Sequence, residues 1–205
     1  MLDKKEIVKK IYKVGGIKFG DFTLKSGVYS PYYIQLRHLT SHPEILSKIG
    51  EVLGKAIKEK FKEVDKVIGI AYAGIPFSTA ISITTGIPSC YTRKEVKQYG
   101  IPHTVEGELN EGDKVVLVDD LITDGQSKFE SIEGVEKTAK CEIKGIAVLF
   151  DREQGGKETL AKKGLELLSI ITISEAAEIL KEEGAISEEK FKSIIEYVKN
   201  PPKPE

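Results

Sequence analysis

A run of four apolar residues, Val115 to Val118, leads into two adjacent acids and then into a loop of small and hydroxyl-bearing residues. An uninterrupted apolar run predicts a strand that is buried on both faces, as in a parallel sheet. Asp119 and Asp120 then lie at the carboxyl end of that strand, and the loop from Thr123 to Ser127 precedes a segment with helical spacing. Backbone amides at the start of a helix converge on anions. The stretch therefore predicts a parallel sheet with an anion site at one edge.

Two acids beside an anion-binding turn fit a ligand that carries both hydroxyl groups and a phosphate, and a ribose 5-phosphate carries both. We expect Asp119 and Asp120 to accept hydrogen bonds from the ribose 2- and 3-hydroxyls, while the phosphate is bound by the loop amides and by the hydroxyls of Thr123 and Ser127. Asp124 adds a negative charge inside the loop, so its side chain is expected to point away from the phosphate or toward the ribose. The alternative is structural, with the acids ending a strand and capping the next helix.

The same run resembles the phosphoribosyl pyrophosphate (PRPP) motif of the type I phosphoribosyltransferases. That motif has four apolar residues, two acids, two apolar residues and a Thr/Gly/Ser loop. The resemblance implies the superfamily and no base specificity. The PRPP ligands that it implies here are Asp119, Asp120, Leu121, Ile122, Thr123, Asp124, Gly125, Gln126 and Ser127.

Two strand-like runs near the N-terminus, Ile17 to Lys25 and Val28 to Leu36, are joined by a Ser-Gly pair and predict a hairpin outside the main sheet. The segments FTLKSG and SPYYI within them resemble the N-terminal signature of orotate phosphoribosyltransferases. The resemblance implies that Lys25 reaches the substrates and that Tyr33 and Ile34 line the orotate ring. Without the resemblance, an exposed turn lysine and a packed tyrosine are the better interpretation.

A glycine turn follows the strand predicted at Val64 to Ala71 and precedes a helix predicted at Phe77 to Thr85. Such a turn is another anion site, which we assign to pyrophosphate. The implied ligands are Tyr72, Ala73 and Gly74. In many orotate enzymes the place of Ala73 holds a lysine that contacts pyrophosphate, so this chain lacks one charge there.

Three cations, Arg93, Lys94 and Lys97, lie within five residues, and the glycine and proline after them predict a mobile basic loop. The loop resembles the catalytic loop of the orotate family. The resemblance implies that residues 93–103 close over the active site of the neighbouring subunit and that the three cations contact pyrophosphate. Tyr99 stands where some family members have histidine. As a bare pattern, such a charge run is usually solvated surface.

A further apolar strand, predicted at Lys140 to Phe150, ends in Asp151-Arg152-Glu153. Charged residues after a strand end face the ligand side of a parallel sheet. The resemblance to the orotate family implies that Arg152 binds the orotate carboxylate, with Thr123 also at the orotate. The alternative is a salt bridge between Arg152 and one of its two acidic neighbours.

Strands that alternate with helices from Val64 onward predict a doubly wound α/β fold with a mainly parallel sheet of about five strands and helices on both faces. The resemblance implies the type I phosphoribosyltransferase fold. With 205 residues, one domain is expected. We expect residues 1–40 to form a helix and a hairpin hood over the carboxyl ends of the strands, 62–175 the core sheet, and 187–205 a C-terminal helix and tail.

The charge balance, 31 basic against 32 acidic residues, provides no global field that would attract nucleic acid or a membrane. No apolar run is long enough to span a bilayer, and the N-terminus lacks the apolar region of a signal peptide, so a soluble cytoplasmic protein is expected. Cys90 and Cys141 are expected to act as small buried hydrophobes, although a disulfide between them stays open.

Together the motifs imply a Mg-dependent pentosyltransferase of de novo pyrimidine (UMP) biosynthesis. It would transfer the 5-phosphoribosyl group of PRPP to N1 of orotate, giving orotidine 5′-monophosphate and pyrophosphate. Mg²⁺ would be bound mainly through PRPP oxygens and water, with Asp120 as a candidate ligand. The implied partners are a second copy of the chain in a homodimer and orotidine-monophosphate decarboxylase. The implied catalytic residues are Lys97, Lys94, Arg93 and Asp120.

Two other functions use the same acid pair. A phosphoribosyltransferase for another base would bind a purine beside it. A non-catalytic PRPP sensor that regulates transcription would need a basic nucleic-acid face or an added DNA-binding module, and neither is visible in the sequence. Lys94 and Lys97 also favour catalysis over sensing.

Overall fold

The strands of this computed structural model, which describes residues 4–23, 27, 29–94 and 104–201, form a hairpin and a six-stranded sheet. The strands are β1 (Ile17–Thr23), β2 (Tyr29–Ile34), β3 (Lys66–Gly69), β4 (Ser89–Thr92), β5 (Val105–Glu106), β6 (Lys114–Ile122), β7 (Glu142–Asp151) and β8 (Glu166–Thr172). The sheet has the order β5-β4-β3-β6-β7-β8.

Five strands of the sheet, β4, β3, β6, β7 and β8, are parallel, and β5 pairs antiparallel with β4 at the edge. The mainly parallel sheet is therefore confirmed, with one strand more than the predicted five. β5 escaped prediction as a sheet strand because it has only two residues, too few to show an alternating pattern.

The described ranges contain a 3-10 helix at Arg37–Ser41 and seven α-helices: α1 (Lys4–Lys13), α2 (Pro43–Lys60), α3 (Gly74–Thr85), α4 (Gln126–Thr138), α5 (Gly156–Ala161), α6 (Ile173–Glu182) and α7 (Glu188–Lys199). On one face of the sheet, α1, α2, α3, α6 and α7 share a core with Val116 and Val118 of β6. On the other face, α4 and α5 pack against Val115 and Leu117. Successive residues of one strand thus supply both cores, which confirms the predicted layers. None of these helices has the length and apolar content that crossing a bilayer requires.

The close packing of α2 on α3 places the turn that follows β3. α2 begins with Pro43 in its first turn and buries apolar residues at helical spacing, including Ile49 and Leu53. Gly50 lets the two backbones approach, because a Cβ there would lie 2.6 Å from the Ala80 carbonyl oxygen. Substituting this glycine would push α3 away from α2.

One helix start differs from the sequence prediction, and another is set by a capping box. α3 begins at Gly74 instead of Phe77, because Gly74 packs directly on the backbone of β6 and a proline at position 76 is tolerated in a first turn. α6 is capped by Thr172, whose side chain accepts from the Glu175 amide (3.2 Å), while the Glu175 carboxylate accepts from the Thr172 amide (2.9 Å). This capping box extends α6 to Ile173.

The N-terminal hairpin lies apart from the central sheet, as predicted, and covers the carboxyl end of β7. The centroid of the buried Tyr32 ring of β2 lies 5.2 Å from Cζ of Arg152, the residue after β7. The other side of the contact is Tyr197 of α7, whose ring meets Tyr32 edge to face at 5.5 Å. The hairpin, here called the hood, therefore contacts the residue that follows β7.

Candidate active site

Three of the predicted functional segments meet at one edge of the sheet. The turn Tyr72 to Gly74 follows β3, the acid pair lies near the end of β6, and Arg152 follows β7. Gly74 is so close to β6 that an added Cβ would overlap the Val118 carbonyl oxygen. The Arg152 amide donates to the Ile122 carbonyl (3.0 Å). The order of the parallel strands thus brings the turn after β3, the acid pair and Arg152 into one site.

The two acids are buried within β6, which continues past them to Ile122. Asp119 is 6% and Asp120 8% exposed. The Asp120 amide donates to Asp119 Oδ1 (2.9 Å), and the Leu121 amide donates to Asp120 Oδ1 (2.8 Å). Neither acid caps α4, whose N-cap is Gly125 without a side-chain bond. The structural alternative, in which the acids cap the following helix, is therefore not what the fold shows.

Lys128 is a site residue that the sequence analysis missed. It lies in the first turn of α4, is 6% exposed, and forms an ion pair with Asp119 through Nζ and Oδ2. A cation at a helix N-terminus is opposed by the helix dipole, and burying it is costly, so Asp119 must compensate both effects. The available signal was its spacing, because Lys128 continues the buried stripe of Ile132 and Val135.

The carboxyl group of Asp120 has a strongly raised pKa. Burial raises the pKa of Asp120 to about 7, and the neighbouring charge of Asp119 adds to the increase. The Leu121 amide and Lys128 oppose that shift in pKa. A ligand hydroxyl or a cation placed beside Asp120 would therefore stabilise its ionised form.

The loop after the acids presents mainly backbone and small side chains. Ile122 is fully buried and Leu121 packs against the core, so the side chains of both belong to the core. Gly125 has a positive φ of 80° and opens α4, with Gln126 and Ser127 exposed. Asp124 is exposed and its Oδ1 accepts from the Gln126 amide (3.1 Å).

The loop also packs on the start of α5. A Cβ at Gly156 would lie 2.8 Å from the carbonyl oxygen of Thr123, which is itself half-buried. The residues that follow β6 and those that follow β7 are thereby held together.

Arg152 has no carboxylate partner among the described residues. Asp151 Oδ1 instead accepts from the Glu153 amide (2.8 Å), and Glu153 Oε2 accepts from the Ser174 amide (2.8 Å). Burial raises the pKa of Asp151. Nε of Arg152 is buried and lacks a hydrogen-bond partner in the part of the chain that the structure describes. The alternative of an internal salt bridge therefore has no support from the geometry.

The hood presents Tyr32 to Arg152. Tyr32 is a residue that the sequence analysis did not select. Tyr33 is 40% exposed and its ring lies 5.7 Å from that of Phe22. Ile34 is half-buried against the core. Neighbouring residues of a strand face opposite sides, so only one of the two tyrosines can stack on Arg152. Lys25 lies outside the described residues.

Two of the three predicted loop cations lie in the described part of the chain. Nη1 of Arg93 forms an ion pair with Oε1 of Glu106 (2.7 Å). Nζ of Lys94 lies 5.2 Å from the ring centroid of Tyr72, which belongs to the glycine turn. Ala73 of the same turn is buried. Lys97 and Tyr99 lie outside the described residues.

The two cysteines do not belong to this edge. Cys90 and Cys141 are both free thiols. Burial raises the pKa of each thiol. Cys90 is buried in β4, as expected of a small hydrophobe, while Cys141 is half-buried.

Comparison with known proteins identifies the family of the chain. The model of the phosphoribosyl transferase domain matches residues 35–185, which include the acid pair, the glycine turn and Arg152. An orotate phosphoribosyltransferase of Methanocaldococcus jannaschii is 39% identical over 175 residues, covering 85% of this chain and 97% of that protein. The uridine 5′-monophosphate synthase of Bos taurus is 35% identical over 192 residues, covering 94% of this chain and 40% of that protein.

A solved structure agrees with these matches. Orotate phosphoribosyltransferase from Aeropyrum pernix has a TM-score of 0.74 at 32% identity, covering 88% of this chain and 99% of that one. The hairpin strands β1 and β2 and the helix α7 lie outside the residues that the family model matches.

Proposed function

The chain belongs to the orotate phosphoribosyltransferases, within the phosphoribosyl transferase domain family, and we propose on this premise that it transfers the 5-phosphoribosyl group of PRPP to N1 of orotate. The products are orotidine 5′-monophosphate and pyrophosphate, and the reaction belongs to de novo UMP synthesis. One observation carries the proposal: a buried acid pair, a glycine turn and a guanidinium without a described carboxylate partner meet at one sheet edge.

PRPP would lie along the acid pair and the two loops. Asp119 and Asp120 accept hydrogen bonds from the ribose hydroxyls, and the 5-phosphate is bound by amides of the loop from Thr123 to Ser127 and by the hydroxyls of Thr123 and Ser127. The turn of Tyr72, Ala73 and Gly74 binds the pyrophosphate. The direct contact of Gly74 with β6 supports this arrangement, because it sets the turn beside the acids.

Catalysis by this site is mainly electrostatic and positional. Breaking the bond at the anomeric carbon builds positive charge on the ribose and negative charge on the departing pyrophosphate. Asp119 and Asp120 favour the positive charge, and the loop cations Lys94, Lys97 and Arg93 favour the negative charge. Lys94 already lies over Tyr72 of the pyrophosphate turn, whereas Arg93 must first leave Glu106. Lys94 thus lies beside the turn in which Ala73 replaces the lysine of many orotate enzymes.

The site fits a magnesium ion that is bound mainly by substrate oxygens and water. No group of three His, Cys, Asp or Glu residues in the described ranges could hold a metal alone. Asp120 is a candidate ligand, because its buried carboxylate supplies the hard oxygen that Mg²⁺ prefers. When bound, the ion supplies charge neutralisation to the phosphate oxygens.

Orotate would bind between the acid pair and the hood. Arg152 is the proposed partner of its carboxylate, because a planar guanidinium matches a carboxylate with two parallel hydrogen bonds. Its freedom from Asp151 and Glu153 supports this role. Tyr33, Ile34, Thr123 and Lys25 are the other proposed orotate contacts.

One assay tests the function. Orotate consumption is followed by absorbance with PRPP and Mg²⁺, and uracil, adenine and hypoxanthine are offered as competing bases. We expect turnover of orotate, with uracil slower by on the order of tenfold to a hundredfold or more, because a charged hydrogen bond contributes about 1.5–3 kcal/mol. Faster turnover of a purine than of orotate would show that the substrate base is a purine. PRPP binding without turnover of any base would favour the sensor.

We also propose a homodimer in which residues 93–103 contribute to the site across the interface. Mixing a Lys97→Ala chain with an Asp120→Asn chain should restore part of the activity, since one hybrid site then holds both native residues. Activity no higher than that of either variant alone would contradict shared sites. The longer bovine relative supports a decarboxylase as a further partner, and the cytoplasm is the proposed location.

A further inference from the structure

We propose that Tyr32 and Tyr197 are positioning residues that hold the Arg152 guanidinium ready for the orotate carboxylate, so that the C-terminal helix α7 influences orotate affinity. The proposal rests on the proposed function, because it takes Arg152 as the carboxylate partner. It adds two residues that lie outside the part of the chain matched by the family model.

The geometry is a continuous series of ring contacts, here called the stack, that joins the end of β7, β2 and α7. Cζ of Arg152 lies 5.2 Å from the centroid of the Tyr32 ring, within the range of a cation–π contact. Tyr32 is fully buried and meets Tyr197 edge to face, with ring centroids 5.5 Å apart and planes at 83°. Edge-to-face pairs have a preferred orientation, so the position of one ring restricts that of the other. α7 thereby fixes the ring on which Arg152 rests.

Arg152 has few other anchors. Its amide is held by the Ile122 carbonyl (3.0 Å), which fixes the main chain and leaves the long side chain undetermined. Within the described residues its neighbours Asp151 and Glu153 accept hydrogen bonds from backbone amides, and its own buried Nε has no hydrogen-bond partner. A flexible arginine loses rotamer freedom on binding a carboxylate, whereas one that is already stacked loses less. The stack is therefore expected to lower the entropic cost of binding orotate.

The ring of Tyr32, more than its hydroxyl, makes the contact. The hydroxyl is buried near the guanidinium but forms no hydrogen bond of regular geometry with the described residues. Burial raises the pKa of Tyr32, and the charge of Arg152 opposes that increase. Removing the hydroxyl alone should therefore leave the position of Arg152 intact, whereas removing the ring should not.

The test compares variants that keep or remove each ring. Tyr32→Leu should raise the orotate KM about tenfold while the PRPP KM stays within about twofold, and Tyr197→Leu should raise the orotate KM by a smaller factor, about threefold. Tyr32→Phe and Tyr197→Phe should stay within about twofold of the native enzyme. Tyr32→Met replaces the ring with a flexible chain and serves if the leucine variant does not fold.

A matched control is Tyr12→Leu. Tyr12 packs on Phe19 at 6.0 Å in the same hood, and Arg152 stacks on Tyr32 instead. This variant should lower the thermal midpoint and leave the orotate KM unchanged. Equal orotate KM values for Tyr32→Leu, Tyr197→Leu and the native enzyme would overturn the proposal, as would a Tyr32→Phe defect as large as that of Tyr32→Leu.

Failure of this proposal can be told from failure of the proposed function. If the native enzyme does not consume orotate, the function itself is wrong. If the native enzyme is active and Arg152→Ala raises the orotate KM while neither ring variant does, Arg152 keeps its role and the stack is only structural.

Discussion

Asp120 is ionisable, buried and placed beside a second acid, so at the scale of single residues it should weaken the ligand-free fold. Its pKa of about 7 lies above the ordinary value of 3.8, with burial as the main cause and Asp119 as the next. For an acid, a raised folded-state pKa opposes folding wherever the unfolded carboxyl group is ionised. The cost is absent below pH 3.8, grows up to about pH 7, and is constant above it.

Asp120→Asn should therefore stabilise the ligand-free protein at pH 8 and leave its stability unchanged at pH 4. The expected gain in the free energy of unfolding at pH 8 is on the order of 2–4 kcal/mol. The measurement is urea unfolding in EDTA at both pH values. Asp124→Asn is the control, since Asp124 is exposed and should change stability little. The same gain at pH 4 and pH 8 would disprove the assigned cause.

Removing the charge of Lys128, which pairs with Asp119, should have the opposite effect and lower the stability of the fold. Lys128→Met leaves the Asp119 charge buried without its partner, which should cost about 3–5 kcal/mol of unfolding free energy. Adding Asp119→Asn should recover part of the loss in a double-mutant cycle. Lys137→Met removes one side of the exposed Lys137–Glu133 pair and should cost under about 1 kcal/mol. Similar costs for the two lysine variants would show that burial does not matter here.

At the scale of elements, the contact between the start of α3 and the end of β6 decides whether two loops form one site. Gly74 provides that contact, because only a residue without a side chain fits against the Val118 carbonyl. The glycine pattern after β3 predicted an anion turn. The reason for the glycine is the neighbouring strand, which sequence spacing does not reveal.

Gly74→Ala should displace the turn and reduce kcat/KM for PRPP by on the order of a hundredfold, because misplacing binding groups by about 1 Å costs that much. Steady-state kinetics with varied PRPP measures the effect. Gly86→Ala at the other end of α3 is the control: its φ of 75° makes alanine strained, but no atom lies within 4 Å of the added Cβ. That variant should lose stability and keep activity. A Gly74→Ala enzyme with native kinetics would contradict the assignment of the turn.

For the whole molecule, PRPP binding should stabilise the fold, because the ligand bridges loops that follow different strands. At 100 times Kd, a ligand that binds only the folded state adds about 2.7 kcal/mol. For a chain of this size each kcal/mol raises the thermal midpoint by roughly 2–4 °C.

We therefore expect PRPP with Mg²⁺ to raise the midpoint by roughly 5–11 °C at that saturation, and EDTA to remove most of the increase. Differential scanning calorimetry measures it. Asp119→Asn should reduce the increase, while Tyr12→Leu lowers the starting midpoint and keeps the increase. An increase of equal size in EDTA would argue against a role for the metal in PRPP binding.

The sequence by itself determined the features whose signal is local. The apolar run from Val115 to Val118 predicts β6 because a strand buried on both faces needs apolar residues throughout, and the acids follow it along the chain. Only the tertiary structure decided which distant side chains meet. Lys128 pairs with Asp119 because the buried face of α4, which includes Lys128, packs against β6. The hood presents Tyr32 to Arg152 because docking against α7 selects one face of the hairpin. Alternation shows that a strand has two faces, but packing between elements far apart in the chain chooses between them.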